Sequence, residues 1–593
     1  MVWQKEDRFS YETFIGKHKK VCVLFIALFI CLSTRLFYLQ IIRGGRYRGI
    51  SEQQRIHNAY ERAPRGVIYS ADGNVLVENK FAYVALFYPF KQRRTLSAKS
   101  IKELSKILGK DVEFIINKCY KYGRFVKLAD NLTSEEMLKI REKKLDLEGV
   151  SVLKESRRVY YHSEATSHMT GYTGEIRADE LEELLGRGYK MGDCIGRGGI
   201  EQFYDEYLRG RDGGWQIEVN ALGWQIKDFR YVQPEIGASV YSTVDLELQK
   251  VAYEALKDSS TGRGAAIVLD TRTGAVKTLV SCPGFDANKA GTKDFGKYLK
   301  DKELSLFNRA VQALYPPGSV FKIITFAAAV EIIDIDPEKT VQCKGSFKLG
   351  DRYYSCWQKL GHDRLNLISA MALSCNVYFY QLGLKLGIRN LERYARKFYL
   401  GQRTKIDLPG EKKGFIPNRE WKKSKLKMRW LHGDTVIFSI GQGALWVTPL
   451  QMACLISAVA NKGVCRKPYI VDRIVDFNGG EIYSHKLESE GRIDLSDKTW
   501  TLLHEALLEV VESGTGTRSK IVGIKIAGKT GTAQNSHGDN HAWFVSYAPV
   551  DNPEIAVAVI IENGGGGGQN AVPVSRKIYE AYFNMKSGKR LRQ

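Results

Sequence analysis

The chain has 593 residues, of which 44% are hydrophobic and 26% are charged, and its formal net charge is +23. This length predicts several domains with sizeable cores, and the aromatic-rich, proline-poor composition excludes a mainly disordered chain. The positive charge would suit an anionic membrane surface, an anionic polymer or nucleic acid. Because no RNA- or DNA-binding motif occurs and the lysines are scattered, we expect a membrane-facing or simply lysine-rich protein and no nucleic-acid partner.

The first 42 residues predict a single membrane anchor. Residues 1–20 are polar, and Val21–Ile42 is apolar apart from a few residues such as Arg35. At about 1.5 Å per residue, a helix of this length crosses the hydrocarbon core of a bilayer. A cleaved signal peptide is the alternative, but no small-residue cleavage site follows the apolar run. The basic residues before it favour a cytoplasmic N-terminus, so that the chain from about Arg43 onward lies outside the cytoplasm.

Residues 43–236 form a mixed and extended region in which we find no catalytic constellation. Alternation, turn residues and apolar periodicity predict its elements. These are a hairpin at Ala63–Asn79, helices at Leu96–Lys110, Thr133–Lys144 and Ile200–Leu208, and a strand at Val150–Tyr161. A capping box is predicted at Thr133 and Glu136.

The composition shifts near Gly237, and we place a second domain at 237–583, followed by a basic tail at 584–593. Its first strands are predicted just after a helix, its middle is helical, and its last strands come near the end. The predicted elements are a helix at Asp245–Lys257 and strands at Gly264–Leu269, Ala275–Val280, Ile521–Ala527, Ala542–Tyr547 and Ile555–Glu562. First and last strands around a helical middle predict an α+β layer fold.

One stretch of this domain, YPPGSVFKIITFAAAV at Tyr315–Val330, has the pattern of a catalytic serine motif. Its Pro-Pro-Gly predicts a sharp turn, and the apolar run after it predicts a buried helix. Ser319 then lies in the first turn, where Lys322, three residues on, shares its face. A lysine in an apolar wall loses part of its preference for the charged form and can take the serine proton.

A Ser-x-x-Lys tetrad is weak evidence by itself, since the chain has two others, at Ser151–Lys154 and Ser424–Lys427. The first lies in a strand-like stretch and the second in a solvated lysine run. Neither begins a buried helix, so only Ser319 and Lys322 have the required context.

Two further motifs strengthen the prediction. Ser374 and Asn376 lie between two apolar helical stretches, where a hydroxyl and an amide can relay a proton and hold a substrate amide; a helix cap is the simpler explanation. Lys529-Thr530-Gly531-Thr532 ends the strand KIVGIKIAG. There Lys529 can bind a carboxylate, the threonines can add hydrogen bonds, and Gly531 would let a substrate backbone approach the strand. A similar tripeptide at Lys586–Gly588 has no strand around it.

Ser-x-x-Lys, Ser-x-Asn and Lys-Thr-Gly in this order are typical of penicillin-binding proteins and serine β-lactamases. The chain resembles a class B penicillin-binding protein, most closely the elongation-type penicillin-binding protein 2 subgroup, along nearly its whole length. The stretches that carry the likeness are RLFYLQII, APRGVIYSADGNVL, GGIEQFYDEYLRG, TVDLELQ, YPPGSVFK, SCNVYFYQ, GQGALWVTPLQMA, KTGTAQ and IIENGGGGG.

The resemblance implies a bitopic protein of the inner membrane, with a non-catalytic pedestal at 43–236 and a periplasmic transpeptidase domain whose antiparallel sheet has helices on both faces. It implies that the protein cross-links peptidoglycan stem peptides during elongation and rod-shape maintenance and is acylated by β-lactams. The implied roles are Ser319 as nucleophile, Lys322 as general base, Ser374 as proton relay and Asn376 as a group that orients the peptide. Lys529, Thr530 and Thr532 would bind the terminal carboxylate of the peptide, and Gly531 belongs to the same substrate-binding motif. The N–H groups of Ser319 and Thr532 would form the oxyanion hole.

The resemblance also implies partners. No glycosyltransferase domain precedes residue 237, so the chain is expected to act with a membrane glycosyltransferase of the SEDS family and with other elongation proteins. No organic cofactor is implied.

One cysteine-rich constellation adds a metal prediction. Cys343, Cys356, His362 and Cys375 offer three thiolates and an imidazole, which suit a closed tetrahedral zinc site. A Cys343–Cys356 disulfide or simple buried thiols are the alternatives. Some similar penicillin-binding proteins hold a zinc in this loop with the last ligand inside the Ser-x-Asn motif, and Cys375 fits that position. The zinc would be structural.

Two other functions remain open at this point. A D,D-carboxypeptidase or β-lactamase would use the same serine and lysines but let water resolve the acyl-enzyme. A β-lactam sensor or catalytically silent scaffold would need no turnover. The pedestal argues against a β-lactamase, and the intact motifs argue against silence.

Overall fold

The computed structural model describes residues 21–45, 56–87, 96–121, 126–147, 149–219, 225–535 and 538–588. The chain divides into two compact units, the first from residues 1–63 and 211–235 and the second from residues 64–210 and 236–593. Of the predicted tail at 584–593, the structure describes residues 584–588. The last helix continues into this stretch as far as Lys586.

The first unit holds the predicted membrane anchor. Val21–Ile42 is one helix with a mean hydropathy of 2.2, and it is the one segment of the described chain that is long and apolar enough to cross a membrane. Its last turn, Tyr38–Ile42, is a π-helix. The unit also contains a three-stranded antiparallel sheet of Ile56–Glu61, Gly213–Val219 and Gln225–Val232.

The N-terminal part of the second unit confirms most predicted elements. Thr133 caps its helix and Glu136 closes the predicted capping box, while the predicted helix at Ile200–Leu208 is two short helices. The helices here are Ala98–Leu108, Val112–Lys121, Ser134–Glu142, Ser163–Thr170, Ala178–Leu185, Gly199–Phe203 and Asp205–Leu208, and the strands are Ile68–Tyr69, Val75–Phe87, Val126–Leu132, Val150–Tyr160, Tyr172–Glu175 and Cys194–Arg197.

The main sheet of this part draws strands from three distant stretches of the chain. The strand Ser239–Ser242 pairs in parallel with Ile68–Tyr69 on one side and antiparallel with Val471–Val475 on the other. Glu481–Ser484 then forms the edge. Next to these strands, the phenol of Tyr204 donates to the Asp407 carboxylate at 2.8 Å, so side chains also join the early and late parts of the unit.

A five-stranded antiparallel sheet organises the rest of the second unit. Its order is Val276–Cys282, Gly264–Asp270, Ile555–Ile561, His541–Ala548 and Ala527–Ala533. Every residue of the middle strand Ile555–Ile561 is buried, and alternate residues join separate apolar clusters on the two faces. A sheet covered on both faces has such continuous apolar strands, and this confirms the predicted α+β fold with helices on both faces.

The α-helices of this part are Leu246–Lys257, Gly296–Leu299, Lys322–Ile333, Leu367–Ala372, Asn376–Lys397, Arg419–Leu426, His432–Phe438, Pro449–Ala460, Asp497–Glu512 and Gly567–Lys586. Shorter 3-10 turns lie at Ala287–Lys289, Lys293–Phe295, Gly318–Phe321 and Thr517–Ser519. Small strand pairs are formed by Val341–Cys343 with Asp363–Leu365, Ser346–Leu349 with Arg352–Ser355, and Val464–Arg466 with Ser489–Arg492.

One predicted strand is wrong. The apolar run Ile521–Ala527 is not a strand, because Ile521 and Ile524 close a tight turn and Val522 is fully exposed. The edge strand begins at Ala527 and runs to Ala533, so the Lys-Thr-Gly motif lies inside the strand rather than at its end. We call Ala527–Ala533 the KTGT strand.

Candidate active site

The predicted nucleophile lies at the junction of a 3-10 turn and a deeply buried helix. Gly318–Phe321 is the 3-10 turn, and Lys322–Ile333 continues it as an α-helix whose first nine residues are buried. Ser319 is half-buried in this turn and lines a cleft of about 800 Å³. The sequence prediction placed Ser319 in the first helical turn, and the structure differs only in the tighter winding of that turn.

Lys322 joins the first motif to the second. Its side chain has 0% exposure, and its amine donates to the Ser374 carbonyl at 2.7 Å, to the Ser374 hydroxyl at 3.2 Å and to Asn376 Oδ1 at 2.7 Å. Burial lowers the pKa of Lys322 to about 8. A lysine in this state exchanges protons near neutral pH, which a general base requires.

The second motif owes its geometry to a helix–helix corner. Helix Leu367–Ala372 ends just before Ser374, which has a left-handed φ of 54°, and helix Asn376–Lys397 begins two residues later. A non-glycine residue in this region costs about 1–2 kcal/mol. The conformation brings both oxygens of Ser374 to the Lys322 amine.

The third motif forms the opposite wall of the cleft. Thr530, Gly531 and Thr532 line it, and Thr515 and Thr530 share a hydroxyl–hydroxyl hydrogen bond of 2.6 Å. Lys529 has 0% exposure, lies below the cleft and donates to the Thr530 carbonyl at 3.1 Å. Burial, with a smaller contribution from the nearby Lys322, holds the pKa of Lys529 well below its usual range.

Gly531 is required for packing inside the protein. A Cβ on Gly531 would lie 2.9 Å from Cβ of Trp543, 3.0 Å from Cγ2 of Val320 and 3.1 Å from the Pro317 carbonyl oxygen. The glycine therefore lets the KTGT strand pack directly on the turn that carries Ser319.

The cleft has residues that the motifs did not predict. Gln442 donates to the Thr532 carbonyl at 3.3 Å, and the other unpredicted lining residues include Tyr353, Trp357, Thr515, Arg518 and Gly566–Gln569. In the sequence, the glycine run and the GQG stretch carry only the family likeness. Thr515 and Arg518 carry no motif of their own, so only the fold brings them to the site.

The four predicted metal ligands come together beside the second motif. The Sγ atoms of Cys343 and Cys356 each lie 3.6 Å from Nδ1 of His362, and these ligand atoms and Sγ of Cys375 all lie within 4.8 Å of one another. The three cysteines are free thiols. A zinc at the centre of three sulfurs and a nitrogen keeps them about 3.5–3.8 Å apart, whereas a disulfide needs about 2.05 Å. The donor set therefore fits zinc.

The cysteine cluster contacts the backbone of the second motif. The Asn376 N–H donates to Sγ of Cys356 at 3.4 Å, and its side-chain amide reaches the Ser355 carbonyl at 3.5 Å. The loop of residues 341–365, which we call the cysteine loop, therefore supports the start of the helix that presents Asn376 to Lys322.

The site has a buried lysine that lies between the turn with Ser319 and the helix–helix corner with Ser374 and Asn376, and the KTGT strand forms its other wall. This arrangement defines a serine acyltransferase of the penicillin-binding type. Comparison with known families agrees. Residues 264–580 match the penicillin-binding protein transpeptidase domain, and residues 60–242 match the penicillin-binding protein dimerisation domain. The chain belongs to the penicillin-binding protein transpeptidase family.

Curated relatives include the peptidoglycan D,D-transpeptidase MrdA of Acinetobacter baumannii, 31% identical over 94% of this chain and 86% of the relative. MrdA of Escherichia coli is also 31% identical, over 93% of this chain and 92% of the relative. Among solved structures, the penicillin-binding protein PBP2 of Helicobacter pylori in complex with MreC has a TM-score of 0.77 and 26% identity, covering 90% of this chain and 100% of that one. A chain from a peptidoglycan synthase complex has a TM-score of 0.73 and 28% identity, covering 97% and 100%.

Proposed function

We propose that this protein is a peptidoglycan D,D-transpeptidase that cross-links stem peptides through an acyl-serine intermediate. The observation that carries the proposal is the Lys322 amine, which is fully buried and held by Ser374 and Asn376 below a cleft that Ser319 lines. The MrdA relatives, similar over almost the whole chain, support the same reaction and substrate class.

The proposed reaction assigns a role to each motif. Neutral Lys322 takes the hydroxyl proton as Ser319 Oγ bonds to the carbonyl carbon of the penultimate D-Ala. The peptide bond to the last D-Ala then breaks, and the leaving amine receives a proton relayed through Ser374. An amine of a second stem peptide attacks the ester, forms the cross-link and releases Ser319.

The remaining residues orient the peptide. Asn376 and the hydroxyls of Thr530 and Thr532 hold the donor, and the N–H groups of Ser319 and Thr532 stabilise the oxyanion. Lys529 supports the KTGT strand from below through its hydrogen bond to the Thr530 carbonyl.

The test is the intact mass of the protein after incubation with a penicillin, beside Ser319→Ala. We expect a stable adduct of one drug molecule on the unmodified chain and none on the variant. Rapid hydrolysis of the drug without a lasting adduct would instead indicate a β-lactamase, and no reaction of the unmodified chain would indicate a silent scaffold. Release of D-Ala from a stem pentapeptide without cross-linked product would indicate a carboxypeptidase.

We propose further that Cys343, Cys356, His362 and Cys375 hold one structural zinc ion. The contacts between this cluster and Asn376 support a role in fixing the second motif. Native mass spectrometry tests it: an excess mass of one zinc supports the site, whereas a loss of two hydrogens would indicate a disulfide.

We infer that the protein is anchored in the inner membrane with its N-terminus in the cytoplasm, and that it serves elongation beside a SEDS-family glycosyltransferase. The single candidate span and the MrdA relatives support the anchor and the process, and the solved structures with MreC and in a synthase complex support protein partners. Restoration of rod shape in a bacterium depleted of its own MrdA, and co-purification of the SEDS protein, test this inference.

A further inference from the structure

The cysteine loop presents two aromatic side chains to the active-site cleft. Tyr353 and Trp357 both line the cleft, and they are 66% and 56% exposed. Large aromatic rings gain free energy when they are covered, so two exposed rings inside a cleft form a surface on which a ligand can pack. The three catalytic motifs give neither residue a role.

Trp357 is held in place although most of its ring surface is open. Its indole N–H donates to the Leu373 carbonyl at 3.0 Å, and its ring makes a T-shaped contact with His362, with the ring centroids 5.2 Å apart. The polar atom of the indole is therefore satisfied, and the exposed remainder is apolar ring surface. A ring that is already fixed loses little conformational entropy when a ligand packs on it.

The hydrogen bond to Leu373 also places Trp357 beside the proton relay. The Leu373 carbonyl belongs to the peptide group that leads into Ser374, whose hydroxyl lies 3.2 Å from the Lys322 amine. In the proposed reaction the leaving amine receives its proton through Ser374. An amine that attacks the acyl-enzyme passes through the reverse of this step and gives its proton to the same group. The attacking amine must therefore reach Ser374, and Trp357 lies next to that position.

A contact within the cysteine loop shows which chemical group this surface suits. The Lys348 ammonium lies over the ring of Tyr353, 5.7 Å from its centroid, across the hairpin of the loop. The side chain of an acceptor stem peptide has the same chemistry, a primary amine at the end of an aliphatic chain. Aromatic faces attract an ammonium group within about 6 Å, and tryptophan attracts it most strongly.

We propose that Trp357, with Tyr353 beside it, binds the acceptor stem peptide and guides its side-chain amine to the acyl-enzyme. The proposal rests on the proposed transpeptidase function and gives the second substrate its own wall of the cleft. The donor lies along the KTGT strand, and the acceptor packs on the aromatic rings of the cysteine loop.

The transfer step follows from this placement. The ammonium group of the acceptor first gives one proton to water. The neutral amine nitrogen then bonds to the ester carbonyl carbon, and the bond from this carbon to Ser319 Oγ breaks. One of the two remaining amine protons passes through Ser374 to Ser319 Oγ, which leaves an amide cross-link and a free serine.

The test lets two acceptors compete for one acyl-enzyme of the full-length protein in detergent. The donor is a stem pentapeptide whose side-chain amine is acetylated. One acceptor is hydroxylamine, which has no chain to pack, and the other is a stem tetrapeptide with a free side-chain amine, supplied in separate runs with lysine or with diaminopimelate. Because both products come from the same acyl-enzyme, the ratio of cross-linked peptide to hydroxamate does not depend on how fast the acyl-enzyme forms.

We expect Trp357→Ala to lower this ratio by roughly 3- to 30-fold, as the loss of one cation–π contact would. Trp357→Phe keeps a ring without the indole N–H and is expected to lower the ratio less, and Tyr353→Ala is expected to act in the same direction as Trp357→Ala. The control is Phe477→Ala, which removes an aromatic ring of 71% exposure outside the cleft lining and should leave the ratio unchanged.

A purely structural role for Trp357 would slow the formation of both products and leave their ratio unchanged in Trp357→Ala, and this result overturns the proposal. An unchanged ratio with unchanged rates overturns it as well. If Trp357→Ala does not fold, Trp357→Phe and Tyr353→Ala supply the same measurement, and an unchanged ratio in both is then decisive against the proposal. Formation of hydroxamate and hydrolysed donor without cross-linked peptide by the unmodified protein, with either tetrapeptide, would instead refute the proposed function.

Discussion

Lys322 shows how burial sets the chemistry of a single residue. Its amine lies in a helix whose neighbours are isoleucine, phenylalanine and alanine, and its three hydrogen-bond partners are all uncharged oxygens. Without an opposing carboxylate, desolvation dominates and the pKa falls to about 8. The residue is thus a base because of what surrounds it, and the sequence already contains that surrounding as an apolar run.

The pH dependence of acylation follows from this pKa. Neutral Lys322 is the reactive form, so the acylation rate is expected to rise with pH and to level off above about 8, where the amine has lost its proton. A lysine with an ordinary pKa of about 10.4 would give a rate that still rises steeply at pH 9. Rates of penicillin acylation between pH 6 and 9.5 check this, and a flat profile in that range would contradict the role of Lys322.

A second residue-scale prediction concerns Gly531. The change Gly531→Ala places a methyl group within about 3 Å of Trp543, Val320 and Pro317, so the turn carrying Ser319 must move away from the KTGT strand. A displacement near 1 Å at a reacting group lowers a rate by about 100-fold. Acylation rates and melting temperatures check it. The control is Gly296→Ala, where nothing lies within 4 Å of the added Cβ and no loss of rate is expected.

At the scale of elements, the cysteine loop and the second motif depend on each other. Cys343→Ala removes one proposed zinc ligand, and we expect loss of the bound zinc, a lower melting temperature and about tenfold slower acylation, because the support of Asn376 weakens. The matched control is Cys282→Ala, since Cys282 is as buried as Cys343, at 1% exposure, and lies outside the cluster. Metal analysis and acylation rates separate the two variants. Retention of zinc by Cys343→Ala would exclude this residue as a ligand.

The elements also show which parts of the site a sequence can reveal. Ser319 and Lys322 were predictable because proline, glycine and an apolar run define a turn and a buried helix locally. The prediction of a strand at Ile521–Ala527 is wrong because the same apolar alternation also fits a tight exposed turn. Only the register of the sheet decides at which residue the strand begins. Thr515 and Arg518 could not be predicted, since only the fold brings them to a cleft built from distant segments.

At the scale of the whole molecule, the hydrogen bond between Tyr204 and Asp407 links the N-terminal part of the second unit to its catalytic part. Asp407 also accepts from the Ile470 and Val471 N–H groups at 2.7 and 3.0 Å, next to the strand that joins the mixed sheet. Tyr204→Phe removes one donor from this carboxylate. Loss of such a bond costs about 1–3 kcal/mol, and we expect a melting temperature lower by about 2–4 °C. Tyr207→Phe, at an exposed tyrosine three residues on, is the control and should melt unchanged.

The mixed sheet has a further consequence for how the protein is made. Ile68–Tyr69 pairs with Ser239–Ser242, and that strand in turn pairs with Val471–Val475. One edge of Ser239–Ser242 therefore stays unpaired until the ribosome has delivered Val471–Val475, and such long-range pairing slows folding and leaves a strand edge open to aggregation. Chaperones and proteases can reach this edge during that interval, and a truncation before residue 471 leaves the edge without its partner strand.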